Sequence, residues 1–270
     1  MARGFYCRIL PNNLQTHFPP KWSQGTDIIK YIPGMPEWPI GTDCKSVVAR
    51  LRRFESSSLD QENMKLFLAS EAKNALSIQK LQEYSGGLAG KNIAYIPTAA
   101  NGEQGWESWR NGGSWELINT LNANISLIQL EEYRIKNLAE VLRGKDIIWV
   151  AGGMPGYLMY WMKSTGFDKI IKPLLNTGTL YVGSSAGAMV TSKSLDVATW
   201  GFVDNDLGAE NMPGLGLVDF DIYPHYEDSL YEQIKSKFKG NKIYLLKNGE
   251  EIIVEDGNIQ VIGEERIITG

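Results

Sequence analysis

The sequence predicts an α/β fold, a three-layer sandwich with a mostly parallel sheet and a C-terminal antiparallel meander, carried by residues 64–270 of the 270-residue chain. Three observations predict it. From residue 64, short apolar runs alternate with amphipathic stretches, the pattern of strands joined through covering helices. Several runs end in glycine-bearing turns at a helix start. Residues 242–269 then change to alternating strands with turns at Asn248-Gly249 and Asp256-Gly257, dipeptides favoured in hairpins.

Taken in order, the expected strands are 65–70, 92–98, 124–130, 146–151, 179–184 and 217–223. Those at 65–70, 92–98, 146–151 and 179–184 each hold a short continuous apolar run, as strands covered on both faces do. Helical patterns fill the gaps at 77–84, around 106–121, and at 135–142, 157–175, 186–193 and 229–238. Residues 1–63 read differently. Pro19, Pro20, Pro33, Pro36 and Pro39 interrupt every candidate element, because each removes a backbone donor and restricts its predecessor. This stretch is expected to be a disordered extension rather than a domain. A misassigned start is a second reading: Arg53-Phe54-Glu55-Ser56 is what the TψC arm of a transfer-RNA gene gives when translated, and Met64 directly precedes the first strand.

Composition narrows the chemistry. A net charge of −4 with no basic run argues against a nucleic-acid partner. No apolar stretch reaches the roughly 18 residues of a membrane helix and no signal peptide is evident, so no membrane partner is expected and the cytoplasm is the default location. Cys7 and Cys44 both precede residue 64, and His17 and His225 are the only histidines. A histidine-dependent mechanism in the body of the protein must therefore use His225.

The strongest motif is Gly183-Ser184-Ser185-Ala186-Gly187-Ala188, placed after the strand 179–184 and before a small-residue helix start. This is G-x-S-x-G in the context of a nucleophile elbow, where small residues two before and two after the serine let strand and helix pass closely. Ser185 is the candidate nucleophile, and the Ala186 amide faces where an oxyanion would develop. Strand 146–151 runs into Gly152-Gly153, and adjacent parallel strands deliver their carboxyl ends to one crevice, so Gly153 is the candidate second oxyanion amide. His225, just past the strand 217–223, is the candidate base. The orienting carboxylate is open among Asp196, Asp204, Asp206, Glu210, Asp219 and Asp221, with Asp204 and Asp206 better placed on a loop. Such a mechanism calls for no metal and no cofactor. The loop 101–115 brings Trp106, Trp109 and Arg110 to the same edge of the sheet as candidate substrate contacts, or alternatively as the buried face of a helix.

These residues resemble the S51 serine peptidases, the family of dipeptidase E and cyanophycinase within the class I glutamine amidotransferase-like superfamily. The resemblance rests on Tyr95-Ile96-Pro97-Thr98-Ala99, Ala151-Gly152-Gly153, the elbow, and Pro224-His225-Tyr226. It implies a catalytic triad of Ser185, His225 and Asp204, oxyanion amides from Gly153 and Ala186, and cleavage of small peptides through an acyl-enzyme. Related amidotransferases place cysteine at the elbow, so serine here disfavours glutaminase chemistry. Neither the preference for aspartyl dipeptides nor the oligomeric state can be read from the chain. Two other classes compete. An α/β-hydrolase esterase shares the order Ser, Asp, His, but the 40 residues from Ser185 to His225 leave little room for its inserted strands. A non-catalytic flavodoxin-like binding module would not need Ser185 and His225 to meet.

Overall fold

The computed structural model describes residues 64–134, 136–200, 209 and 212–270, and the expectations for residues 1–63 fall outside that range. A seven-stranded sheet runs in the order β3 (Asn124–Leu127), β2 (Asn92–Ile96), β4 (Ile147–Val150), β5 (Leu180–Ser184), β1 (Lys65–Ala69), β8 (Glu251–Glu255) and β9 (Asn258–Ile262). Every pair from β3 to β1 is parallel, and β1–β8 and β8–β9 are antiparallel.

Alternation along the strands explains the layers. Leu66, Leu68, Ala94, Ile96, Ile148, Val150 and Tyr181 point into one core, while Phe67, Ala69, Ile93, Tyr95, Ile147, Trp149 and Val182 point into the other. Helices α5 (Pro155–Thr165) and α6 (Phe167–Leu175) cover the first face. Phe167, Ile171 and Leu175 recur every four residues on α6 and are fully buried, each stabilising the fold by about 1.5–3 kcal/mol. Helix α1 (Ala75–Ser85) covers the second face through Ile78 and Leu81. Asn74 caps α1, its side chain accepting the Ser77 N–H at 2.8 Å. The expected three-layer α/β fold is the one observed.

Several elements differ from the sequence pattern, among them the helix expected over 157–175, which Gly166 at φ 75° divides into α5 and α6. The expected helix around 106–121 is divided into a 3₁₀ turn (Ser108–Asn111) and α3 (Gly113–Asn119), because Gly112 is extended, and a separate short helix, α2 (Thr98–Gln104), precedes it across the left-handed Glu107. The strand expected over 217–223 shortens to β6 (Asp221–Tyr223). Upstream of it, Leu217 and Val218 both donate to the Thr191 carbonyl and wrap the elbow instead. The helix expected over 135–142 begins only at α4 (Leu138–Leu142), after the Asn137 cap. The C-terminal strands divide between two sheets: β8 and β9 extend the main one, while β7 (Lys242–Leu245) pairs parallel with β6 and antiparallel with β10 (Ile267–Thr269). Strand β7 is almost wholly buried, which suits the centre of a small sheet rather than a half-solvated meander.

Candidate active site

The elbow is built by close backbone approach. After β5, Ser185 adopts φ 50° and ψ −111°, a region side chains rarely occupy, and α7 (Ala186–Met189) starts immediately. A Cβ on Gly183 would lie 2.5 Å from the Gly187 carbonyl oxygen, and one on Gly187 would lie 2.3 Å from that of Val150 on β4. The two glycines are therefore required by packing of the turn against itself and against the neighbouring strand. The turn is tied down by Ser185 N–H donating to Ala69 (3.0 Å), by Ala72 N–H donating to Ser184 Oγ (2.9 Å), and by the buried Tyr181 hydroxyl donating to Gly187 (2.7 Å).

His225 follows β6 and Pro224 with φ 54°, again a left-handed backbone. Its Nε2 lies 2.9 Å from Ser185 Oγ, and its backbone N–H donates to Ser70 Oγ at 2.8 Å. The two side chains singled out in the sequence thus meet, which the binding-module reading does not require. Gly153, at φ 134°, packs so tightly that a Cβ would lie 2.3 Å from the Ala99 carbonyl carbon. Among the described residues, the amides of Gly153 and Ala186 donate to no backbone carbonyl.

The expected acid, Asp204, and its competitors Asp206 and Glu210 lie outside the described residues. The atom an orienting acid would engage, His225 Nδ1, is 2.7 Å from Asn248 Oδ1. Ser70 Oγ in turn donates to that oxygen at 3.2 Å. Sequence reasoning missed both residues. Asn248 sits in a dipeptide that reads as a hairpin turn, and Ser70 is the unremarkable last residue before a loop.

Ser185 and His225 open onto a cavity of about 590 Å³ whose wall includes Glu71, Lys73, Tyr95, Glu103, Trp109, Gly152 and Gly153. Trp109 is both buried and on this wall, held by its indole N–H donating to Asn101 Oδ1 at 3.0 Å and by edge contacts with Tyr95 and Trp115. Trp106 and Arg110 are not on it. Trp106 is 56% exposed, and Arg110 pairs with Glu107 at 2.7 Å. The charged groups on the wall, Glu71, Lys73 and Glu103, had no motif to announce them. Among the described residues no helix is long and apolar enough to cross a membrane.

A strained serine at a strand-to-helix elbow, hydrogen-bonded to a histidine at the carboxyl edge of a parallel sheet, defines a hydrolase of the serine type. An uncharacterised peptidase of Listeria innocua is 31% identical over 202 residues, spanning 72% of this chain and 94% of the relative. One of Listeria monocytogenes is 29% identical over 195 residues, spanning 70% and 93%. A crystal structure of a candidate peptidase E protein from Listeria monocytogenes superposes with a TM-score of 0.64 at 27% identity, covering 74% of this chain and 98% of that one. The model of peptidase family S51 matches residues 66–262, and the chain belongs to that family as a serine-type peptidase.

Proposed function

We propose that the protein hydrolyses small peptides by acyl transfer, with Ser185 as nucleophile, His225 as general base and the amides of Gly153 and Ala186 as the oxyanion site. The observation that carries this reading is the 2.9 Å contact between Ser185 Oγ and His225 Nε2 at the mouth of the cavity. As Ser185 Oγ bonds to the scissile carbonyl carbon, its proton passes to Nε2, and the carbonyl oxygen gains charge facing the two amides. The imidazolium then gives that proton to the departing amine. Water, deprotonated by the same nitrogen, releases the acyl group and restores the serine.

The size of the cavity, about 590 Å³, suits a dipeptide or tripeptide rather than a protein chain. Glu71, Glu103 and Lys73 supply both signs of charge for the termini of a short peptide. Trp109 supplies an apolar wall beside them. A panel of Asp-X, Ala-X and β-Asp-Arg peptides with simple esters tests the substrate class. Turnover of short peptides, lost by about 10³-fold or more in both Ser185→Ala and His225→Ala, is the expected result. Undiminished turnover in Ser185→Ala would exclude this mechanism, and ester cleavage without peptide cleavage would exclude the substrate class.

A further inference from the structure

We propose that the third member of the catalytic constellation is Asn248, a neutral positioning residue that fixes the tautomer of His225 where a carboxylate would otherwise stand. The inference rests on Ser185 and His225 being the reacting pair.

An imidazole has two nitrogens, and both are engaged here: Nε2 with Ser185 Oγ at 2.9 Å and Nδ1 with Asn248 Oδ1 at 2.7 Å. With Nδ1 occupied, a carboxylate would have to displace Asn248 to orient the ring. The direction of these bonds follows from Ser70. Its Oγ accepts the His225 backbone N–H at 2.8 Å and donates its own proton to Asn248 Oδ1 at 3.2 Å, an oxygen that can only accept. An amide oxygen facing two donors requires Nδ1 of His225 to carry the ring proton. That leaves the Nε2 lone pair toward Ser185, the tautomer a general base needs. Were the amide turned over, its NH₂ would face Nδ1 and the ring proton would sit on Nε2, unable to accept from the serine.

The turn bearing Asn248 is held from several sides. Ser70 N–H donates to the Glu250 carbonyl (3.0 Å), Glu250 N–H to the Lys247 carbonyl (3.0 Å), and Lys80 Nζ to the Gly249 carbonyl (2.9 Å). Gly249 takes φ 86°, whereas Asn248 is not left-handed, so this turn is not the two-residue hairpin turn that its dipeptide favours. It joins β7 to β8 across two sheets, and its asparagine side chain is spent on His225.

A neutral orienter predicts a pH signature. Charged groups around the ring are Glu71, Lys73 and Glu103 on the cavity wall, Glu227 and Asp228 after it, and Lys247 and Glu250 on the turn. Lys247 is paired with Asp228 at 2.7 Å and Glu250 with Arg266 at 2.7 Å, so an aspartate at 248 would add a new charge directly against Nδ1.

The test measures kcat and KM from pH 5 to 9 on the best-cleaved dipeptide, for the wild type, Ser185→Ala, Asn248→Ala and Asn248→Asp, with each fold checked by circular dichroism. Asn248→Ala should lose kcat by about 10²-fold with KM changed by no more than about three-fold. Asn248→Asp should retain substantial activity above pH 8 and move the acidic limb of kcat/KM to higher pH by about one unit, since a carboxylate favours the imidazolium. Asn248→Ala within about two-fold of wild type, or an unmoved limb in Asn248→Asp, would overturn the assignment. Loss of turnover in Ser185→Ala beside either result leaves the nucleophile standing and sinks only the role of Asn248.

Discussion

Ser185 and His225 both sit on backbone that side chains rarely adopt, at φ 50° and φ 54°. Each such residue costs about 1–3 kcal/mol and persists only where its surroundings over-determine it. Here the determinants are glycines without room for a Cβ. Gly153 is tightly confined: at φ 134° a Cβ would meet the Ala99 carbonyl carbon at 2.3 Å and the Ala100 nitrogen at 2.4 Å, backbone that cannot rotate away. Gly153→Ala should therefore lower stability by about 1–3 kcal/mol, read as a shift in the urea midpoint. Displacing the candidate oxyanion amide should also cut kcat by about 10²-fold or more. A variant with unchanged midpoint and unchanged kcat would show that this loop is not packed as described. Gly152 presents a different case, since its Cβ would lie 3.2 Å from Ser185 Cβ and would press on the candidate nucleophile itself.

At the scale of elements, one of the ties on the turn after β7 is also a buried counter-charge. Lys80 of α1 reaches the Gly249 carbonyl and also Glu251 Oε2 at 3.1 Å, and the Glu251 side chain is fully buried. Burial pushes the Glu251 carboxyl upward, opposed by hydrogen bonds from Ser77 and Lys80. Removing the cation leaves a buried carboxylate without a counter-charge. Lys80→Met should thus destabilise the protein by about 2–4 kcal/mol, and Glu251→Gln added to it should recover most of that loss in the same urea titration. No recovery in the double variant would mean that the lysine acts through packing rather than charge. This element also marks where the sequence stops being legible. Ser185 and His225 can be read because the elbow has its own spacing and the body of the chain holds one histidine. Asn248 cannot, because Asn-Gly carries a strong local preference for hairpins, and only tertiary pairing of β7 with β6 rather than β8 turns it toward the site. The same holds for Lys73 and Glu103, surface-type residues whose place on the cavity wall is decided by the loops around them. Asp204, which order along the chain favours, lies outside the described residues.

At the scale of the molecule, the parallel sheet gathers the ends of β1, β4 and β5 at one edge, and the small sheet brings β6 and its histidine to meet them. The class of fold was readable from apolar runs because β1, β2, β4 and β5 are buried on both faces, whereas the division into two sheets depends on pairings no local pattern encodes. The small sheet also carries a charge at odds with its surroundings. Asp221, the first residue of β6, has its carboxyl pushed up to about 6 by burial and then by the nearby Asp196 carboxylate. A carboxyl whose folded value exceeds its unfolded value of 3.8 binds more protons when folded, so stability falls as pH rises from about 4 to about 6 and is flat above. The shift alone corresponds to about 3 kcal/mol, but the group is partly solvated, and screening reduces the expected penalty to about 1 kcal/mol. Asp221→Asn should accordingly stabilise the protein by about 1 kcal/mol at pH 7.5 and by nothing resolvable at pH 4, where the wild-type carboxyl is largely protonated. Urea midpoints of the two proteins at both pH values provide the check, because titration of the groups that do not interact with Asp221 cancels in the difference. Equal stabilisation at both pH values would show that the variant acts through packing of β6, and the ionised carboxylate would then carry no cost to the fold.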